Sequence, residues 1–495
     1  ALLPQPDGSV WIGGGGQQTA LCRMASPTAD CLPVPLPTRN VTSLHTDRHG
    51  ALWITTWGDG LLRLATTPFV HLAAADDVQG RTRGLAVLAD GRVAFHTGAR
   101  LHLAGRDGLQ SVDWPLAQGG DLLLSLQPLP DGRLARGRLY GIDVASLDNL
   151  RRWTPLAPAL DPPAKGYGLA LDGAGQLWAG DSRMLRLGPD GFETVQNGLT
   201  LTYAYTRDRE GRLWAAGIGG IWRQGADGRF AEAGAPPPAG RFVTMSALTD
   251  RRGHLWFGGY ESGLYRWDGR DWLRLDEDRG LPSATAYGLA DDARGRLWVS
   301  HPRGLYTLEL AEADRLAVDP TATARIRAYS RADGLPVQGF NGGAGQAMVQ
   351  GSDGRLWLAS DDGVVHFDPA GLPQPLTLPP ARLEAVTADD GALQPGTDGA
   401  YRLQPATETL RLRLALPLPG LAERVALRYR LAPLESDWRP LPADGGLRYE
   451  RLPPGDWQLQ VQARVDDEDW RELLSRRITQ QPSWWQRPWV WVVLT

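Results

Sequence analysis

Short stretches of alternating apolar and polar residues, separated by clusters of Gly, Asp, Asn and Pro, run along most of the chain. This period of two is typical of β-strands with one buried face. One pattern recurs, in which an apolar strand and a turn with Asp and Gly are followed by Leu-Trp. Its clearest copies are residues 44–53 (LHTDRHGALW), 205–214, 247–256 and 289–298. Each copy predicts a strand, a tight turn closed by a glycine of positive φ, and a second strand.

The tryptophan of this pattern returns at a nearly constant interval. Two degenerate copies carry Phe95 and Ala135 at the tryptophan position. The nine positions are 11, 53, 95, 135, 178, 214, 256, 298 and 357, with intervals of 42, 42, 40, 43, 36, 42, 42 and 59 residues. We predict that the tryptophans at these positions are structural and are wedged where neighbouring sheets meet: Trp11, Trp53, Trp178, Trp214, Trp256, Trp298 and Trp357.

A unit of about 40 residues with three or four strands has the size of one β-propeller blade. The glycines and the period of two in every unit exclude a helical repeat of similar length. We expect two trailing blades of a preceding, truncated propeller in residues 1–80, followed by a seven-bladed propeller in residues 81–378. A single nine-bladed ring and a truncated eight-bladed ring are the alternatives.

The repeated residues resemble the two-component regulator propeller repeat (Reg_prop) of bacterial membrane receptors. The resemblance rests on the tokens D-x-x-G-x-L-W and G-L-x-R, the second of which runs from Gly60 to Arg63. Residues 333–336 (DGLP) and 339–343 (GFNGG) resemble the connection that this family places before its last blade. The resemblance covers about residues 1–370.

The repeat stops after Pro380, and residues 379–482 alternate as in 410–414 (LRLRL) and 459–463 (LQVQA). About 100 residues of such strands predict a small Ig-like β-sandwich, so the whole fold class is all-β. Residues 429–438, 452–457 (LPPGDW) and 482–489 (PSWWQRPW) resemble the Y_Y_Y-type sandwich that follows these propellers. In such relatives the last stretch leads into the membrane. Residues 483–495 are therefore predicted to form a Trp-rich juxtamembrane linker and the start of a transmembrane helix. A buried C-terminal strand is the alternative.

Composition narrows the range of functions. The chain has 52 Lys plus Arg against 56 Asp plus Glu, and this net charge of −4 argues against a nucleic-acid partner. The eight histidines form no ligand pattern, and no nucleophile or phosphate-binding motif is present. We therefore expect no metal, no cofactor and no catalytic site in this chain.

Cys22 and Cys31, the only cysteines, could face each other on a hairpin and form a disulfide outside the cytoplasm. Two reduced thiols are the alternative.

Propellers bind ligands around the central channel, where the innermost strands begin. Six residues lie just ahead of the strands that precede the aspartate turns and are predicted to line that face: Arg83, Tyr167, Tyr203, Arg241, Tyr287 and Asn341. Tyr and Arg side chains there could stack on and hydrogen-bond a sugar or a similar polar ligand. For each of the six, packing against neighbouring blades is the alternative.

The resemblance implies the extracytoplasmic sensor region of a bacterial membrane receptor, on the periplasmic side of the inner membrane. It implies a small-molecule or oligosaccharide ligand and a homodimer paired through the sandwich and the membrane helix. The output domain in the same chain would be a cytoplasmic histidine kinase or, alternatively, a GGDEF diguanylate cyclase. A secreted propeller enzyme that acts on polysaccharide is the alternative from another class. The ligand and the choice between outputs stay open.

Overall fold

The computed structural model describes residues 1–14, 20–26, 28–38, 40–47, 51–64, 67–73, 76, 78, 80–98, 100–106, 108–113, 122–156, 163–238, 240–337, 339–372, 378, 380–416, 425–465, 470–483 and 485. Antiparallel sheets dominate this part of the chain, which confirms the predicted all-β class. The chain divides into two compact units, which we describe separately. The first comprises Ala1–His71 with Asp333–Pro336, and the second comprises Leu72–Ala332 with Val337–Thr495.

The first unit contains two antiparallel sheets. The strands of the four-stranded sheet are Leu2–Pro4, Val10–Gly13, Leu21–Met24 and Cys31–Val34. Those of the three-stranded sheet are Val41–Thr46, Leu52–Thr56 and Leu61–Leu64. Their shared core includes Leu21, Leu52 and Ile54. Cys22 and Cys31, on adjacent strands with Cα atoms 5.5 Å apart, form a disulfide.

The second unit begins with seven four-stranded sheets, the blades, which we number in chain order. Blade 1 has the strands Thr82–Val87, Val93–Thr97, Arg100–Gly105 and Gly108–Asp113. Blade 2 has Leu123–Pro128, Arg133–Arg138, Gly141–Ser146 and Thr154–Pro155. Blade 3 has Gly168–Leu171, Leu177–Gly180, Arg183–Gly188 and Gly191–Asn197. Blade 4 has Thr202–Arg207, Leu213–Gly217, Gly220–Gln224 and Phe230–Glu232. Blade 5 has Thr244–Thr249, Leu255–Gly259, Leu264–Trp267 and Trp272–Leu275. Blade 6 has Gly288–Asp291, Arg296–His301, Gly304–Glu309 and Ile326–Tyr329.

Blade 7 closes the ring. Its first three strands are Met348–Gln350, Leu356–Ala359 and Val364–Phe367, and the outer edge is continued by Leu72, the last residue of the strand Val70–Leu72. The first strand of each blade lies beside the first strand of the next, and that of blade 7 lies beside that of blade 1. Leu72 also packs against the core shared by blades 7 and 1. The seven blades therefore surround a central channel lined by their first strands.

The aspartate and the tryptophan of the repeat are joined by a hydrogen bond that the sequence pattern did not predict. In blades 3 to 6 the tryptophan Nε1 donates to Oδ2 of the aspartate six residues earlier, at 2.8–3.0 Å; the pairs are Trp178–Asp172, Trp214–Asp208, Trp256–Asp250 and Trp298–Asp292. Trp53 and Asp47 of the first unit make the same bond at 2.9 Å. The other oxygen, Oδ1, accepts turn N–H groups, as Asp250 does from Arg252 and His254. One carboxylate thus closes the turn and fixes the indole.

The tryptophans of the ring lie between blades. Trp178, Trp214, Trp256, Trp298 and Trp357 are at most 6% exposed, whereas Trp11 and Trp53 are half-buried. Trp214 packs against Phe257 and Tyr265 of the next blade. Phe95 and Ala135, at the degenerate positions, are fully buried, and the residues six positions before them are Ala89 and Leu129. Where the indole is missing, its acceptor is missing as well.

A nine-residue α-helix, Leu310–Val318, is inserted between the third and fourth strands of blade 6. Leu310, Ala313 and Leu316, spaced by three residues, are buried against the blade core. Two 3₁₀ helices follow the fourth strands of blades 5 and 6 along the chain; they are Glu277–Arg279 and Arg331–Asp333, respectively. The α-helix was not predicted from the sequence, and it contributes to the 59-residue interval together with the connection that follows.

The C-terminal part of the second unit is a sandwich of two sheets. The strands of one sheet are, in spatial order, Gly391–Ala392, Arg382–Ala388, Thr409–Ala415 and Gly446–Glu450. Those of the other are Tyr401–Leu403, Arg471–Gln480, Gly455–Val465, Val425–Ala432 and Arg439–Pro440. Alternate residues fill the core, as Leu410 and Leu412 do at 1% and 2% exposure. The sandwich predicted from the period-two pattern is confirmed.

The predicted domain boundaries at 80/81, 378/379 and 482/483 stay predictions. Most of the predicted membrane-proximal segment, residue 484 and residues 486–495, lies outside the described residues. Within the ranges given above, no helix combines the length and the apolar character needed to cross a membrane.

Candidate functional site

The channel holds a cavity of about 560 Å³. Its wall is formed by the first strand of all seven blades, and its polar groups include Ser125, Tyr203, Ser246, Asp291 and Gln346. A concave site of this volume, mostly apolar with a few polar groups, has the character of a small-molecule pocket. The cavity extends to the turns between the first and second strands, at Ala89 and Pro130. We call the opposite side of the ring, where the first strands begin, the upper face.

Residues 341–346 (NGGAGQ), here called the strap, cross the channel at the upper face. The Asn341 side-chain amide donates to the Thr82 carbonyl of blade 1 at 2.7 Å. The Gly345 N–H donates to the carbonyl of Tyr167, just ahead of blade 3, at 3.2 Å. The strap ends at blade 7, and blade 3 lies on the opposite side of the ring. A segment that is bound both to Thr82 and to Tyr167 therefore spans the channel.

Glycine is required at two positions of the strap. A β-carbon at Gly342 would lie 2.8 Å from two carbons of Tyr287, closer than real side chains approach. At Gly345, φ is 61° and a β-carbon would lie 3.1 Å from the Ser125 Cα. A larger residue would clash with Tyr287 at position 342, and at position 345 it would have to adopt a strained left-handed backbone. Gly342 of the GFNGG motif and Gly345 beyond it therefore allow the backbone to lie directly on the channel wall.

The strap uses three of the six residues that the sequence predicts at the ligand-binding face. Asn341 anchors it to blade 1, the Tyr167 carbonyl accepts its Gly345 N–H, and the Tyr287 ring lies under Gly342. These contacts give Asn341 and Tyr287 a packing role. The hydrogen bond from Gly345 uses only the backbone carbonyl of Tyr167, so the Tyr167 side chain stays available to a ligand.

Tyr203, Arg241 and Arg83 complete the predicted set. Tyr167 and Tyr203 form an edge-to-face pair with ring centroids 5.6 Å apart and an interplanar angle of 86°. Both rings are half-buried, and their hydroxyls make no hydrogen bond within the described residues. Arg241 is exposed, and its charge acts on the Tyr203 hydroxyl. Arg83, in the first strand of blade 1, is half-buried, and its charge acts on the buried His96.

The environment of the upper face keeps Tyr203 and Tyr287 protonated. Burial raises the pKa of Tyr203, the neighbouring Tyr167 adds to the rise, and Arg241 opposes it. Burial likewise raises the pKa of Tyr287, with further contributions from Tyr260 and Asp361. Each phenol therefore offers both a donor and an acceptor to a ligand near neutral pH.

An ion pair that sequence reasoning missed lies beside Tyr287. Arg81 Nε and Asp361 Oδ1 are 3.0 Å apart, and both side chains are about half exposed. Neither residue belongs to the repeat signature, so no pattern in the sequence pointed to them. Over the part of the chain that the structure describes, no three His, Cys, Asp or Glu side chains are grouped as a metal site would require.

Comparison with known proteins agrees with this fold. Residues 35–58 match the family model described as two component regulator propeller, which confirms the resemblance predicted from the repeat. No protein with a curated description matches the chain in sequence.

Among solved structures, the extracellular domain of a putative hybrid two component system from B. thetaiotaomicron is similar. It has a TM-score of 0.75 at 16% identity, over 97% of this chain and 68% of that chain. The extracellular domain of a putative one component system from the same organism gives a TM-score of 0.49 at 15% identity, over 98% and 68% of the two chains. At such identities the first likeness establishes the fold of propeller blades and sandwich.

Proposed function

We propose that this chain is the extracytoplasmic sensor region of a bacterial membrane signalling receptor. The observation that carries the proposal is the likeness, over 97% of the chain, to the extracellular domain of a putative hybrid two component system. The match of residues 35–58 to the two component regulator propeller adds independent support from sequence. The receptor would lie in the bacterial inner membrane with this region on the periplasmic side, and its output would be a cytoplasmic histidine kinase.

The ligand site that we propose is the upper face beside the Tyr167–Tyr203 pair. Their free hydroxyls can donate and accept hydrogen bonds, and an aromatic ring can stack on the apolar face of a sugar. Arg241 supplies a further donor close to Tyr203, and Arg83 of blade 1 adds one elsewhere on the same face. A small polar molecule or an oligosaccharide fits this combination of aromatic and polar groups.

The sandwich is proposed to pass the signal to the membrane. Two copies of the receptor would pair through their sandwiches and membrane helices, since a two-fold dimer can report relative motion of its halves. The membrane helices would raise the effective concentration of a weak sandwich contact. Ligand would then favour one of two pairings, to the extent that it binds that state more tightly.

A thermal-shift screen with oligosaccharides and small periplasmic metabolites, followed by calorimetry, tests the site. Tyr203→Ala should weaken binding of the ligand found by about tenfold or more, because a stacking and hydrogen-bonding group is lost. Tyr429→Ala, at a half-buried tyrosine of the sandwich strand Val425–Ala432, is the matched control and should bind normally. Equal affinity of the Tyr203 variant and the unchanged protein would refute this site. Turnover of a polysaccharide by the unchanged protein would instead favour an enzyme.

A further inference from the structure

Blade 7 breaks the pairing of aspartate and tryptophan that blades 3 to 6 share. Its tryptophan, Trp357, is only 6% exposed, yet residue 351, six positions earlier, is glycine. The buried Nε1 of Trp357 has no hydrogen-bond acceptor among the described residues. A β-carbon at Gly351 would lie 3.3 Å from that Nε1, so this is the side from which the carboxylate approaches in the other blades. A buried indole N–H without a partner is costly unless a molecule from outside supplies the acceptor.

A cavity of about 540 Å³ lies beside this tryptophan, at the seam between blades 7 and 1. Trp357 and His366 belong to its wall, and Gly91, Gly105 and Gly108 of blade 1 form much of the opposite side. Blade 1 also carries the smaller Phe95 in place of a tryptophan. Two features of the sequence accompany this cavity, namely the small residues on blade 1 and the absence of an aspartate six residues before Trp357.

A second residue of the cavity wall, His366, also carries an unpaired polar atom. His366 is 8% exposed and stacks on Trp357 with ring centroids 4.3 Å apart and an interplanar angle of 26°. Its Nδ1 has no hydrogen-bond partner in the described part of the chain. Burial lowers the pKa of His366 to about 4, so the imidazole is neutral near pH 7. The two stacked side chains that carry these unpaired nitrogens therefore both belong to the wall of one cavity.

The charged side chains in the cavity wall balance, with two arginines and two aspartates. Arg355 and Asp353 approach each other to 3.6 Å, and Arg106 and Asp368 are also in the wall. An anionic ligand would meet two carboxylates, and a cationic ligand would meet two guanidinium groups. A neutral molecule with several hydroxyl groups can accept from Trp357 Nε1 and donate to the carboxylates.

We propose that the seam between blades 7 and 1 is a binding site for an uncharged polyhydroxy molecule of about mono- to disaccharide size. A hydroxyl oxygen of the ligand takes the place that an aspartate oxygen occupies in blades 3 to 6. The site is separate from the Tyr167–Tyr203 pair of the upper face, which shares no residue with it. Its existence does not depend on the sensor role.

Calorimetry of the whole chain with maltose, cellobiose and myo-inositol, and with glucuronate as the charged counterpart, tests this proposal. At least one neutral probe should bind, and glucuronate should bind more weakly. Gly351→Asp should weaken the binding by about tenfold or more, because the new carboxylate occupies the acceptor position. Gly240→Asp is the matched control, since nothing lies within 4 Å of a β-carbon there.

A second variant guards against a folding defect. Trp357→Phe removes the N–H donor together with part of the ring system, and it places in blade 7 the residue that blade 1 already has at position 95. It should fold with an unchanged circular dichroism spectrum and bind the neutral probe about tenfold more weakly. The proposal is wrong if no neutral probe binds at millimolar concentration, if glucuronate binds best, or if both variants bind normally. Loss of binding in Tyr203→Ala with retention in both seam variants would place the probe on the upper face and also overturn it.

Discussion

Replacing Trp256 with alanine should lower the free energy of unfolding by about 3–5 kcal/mol, the usual cost of truncating a fully buried large aromatic. Trp256 is 0% exposed and packs against Leu297 and Tyr306 of the next blade. The substitution also strands the Asp250 carboxylate, which accepts the indole N–H at 2.8 Å. Urea unfolding followed by far-UV circular dichroism measures the loss.

Trp57→Ala is the control for this experiment. Trp57 is 79% exposed, so removal of the same side chain should change stability by only about 0.5 kcal/mol. If the two substitutions cost the same, the repeat tryptophan does not hold neighbouring blades together.

Replacing Asp143 with alanine should cost about 3–5 kcal/mol, because two buried arginines lose their counter-ion. Asp143 Oδ2 accepts from Arg136 Nε at 2.9 Å and from Arg138 Nε at 2.7 Å. The three side chains are between 3% and 10% exposed, and Arg136 also lies 4.4 Å from the ring centroid of Trp153. The same urea titration applies.

The matched substitution is Asp113→Ala, which removes a surface ion pair from the same ring. Asp113 and Arg100 are 2.7 Å apart, but the aspartate side chain is 83% exposed. Water screens such a pair, and its loss should cost at most about 1 kcal/mol. A small effect at Asp143 would mean that water reaches the two arginines in blade 2.

The repeating part of the fold was predictable because a tryptophan returns at most of the places where two blades meet. Period-two alternation and the 42-residue interval therefore located the blades, and the alternation of residues 410–414 located the sandwich. The α-helix Leu310–Val318 escaped prediction, since a nine-residue insertion shows only three apolar positions at helical spacing. Short helices of this kind are stabilised by the core that they join rather than by their own sequence.

The candidate sites were less predictable because they depend on how distant segments meet. The glycines of residues 339–343 marked an unusual connection, but its path across the channel follows from contacts with Thr82 and Tyr167. For the same reason, Asn341 and Tyr287 proved to support the strap. The glycine at position 351 is visible in the sequence. That the Trp357 nitrogen lacks a partner and that a cavity lies beside this residue follow only from how blades 7 and 1 pack.

The sensor role is tested most directly in the full receptor in its membrane, by measuring output against concentration of the ligand identified for the upper face. Tyr203→Ala should raise the half-maximal concentration by the same factor by which it raises the Kd of the isolated chain, and the maximal output should not change. If the Kd rises while the response curve stays in place, binding at the upper face does not drive the receptor, and the proposed function is wrong.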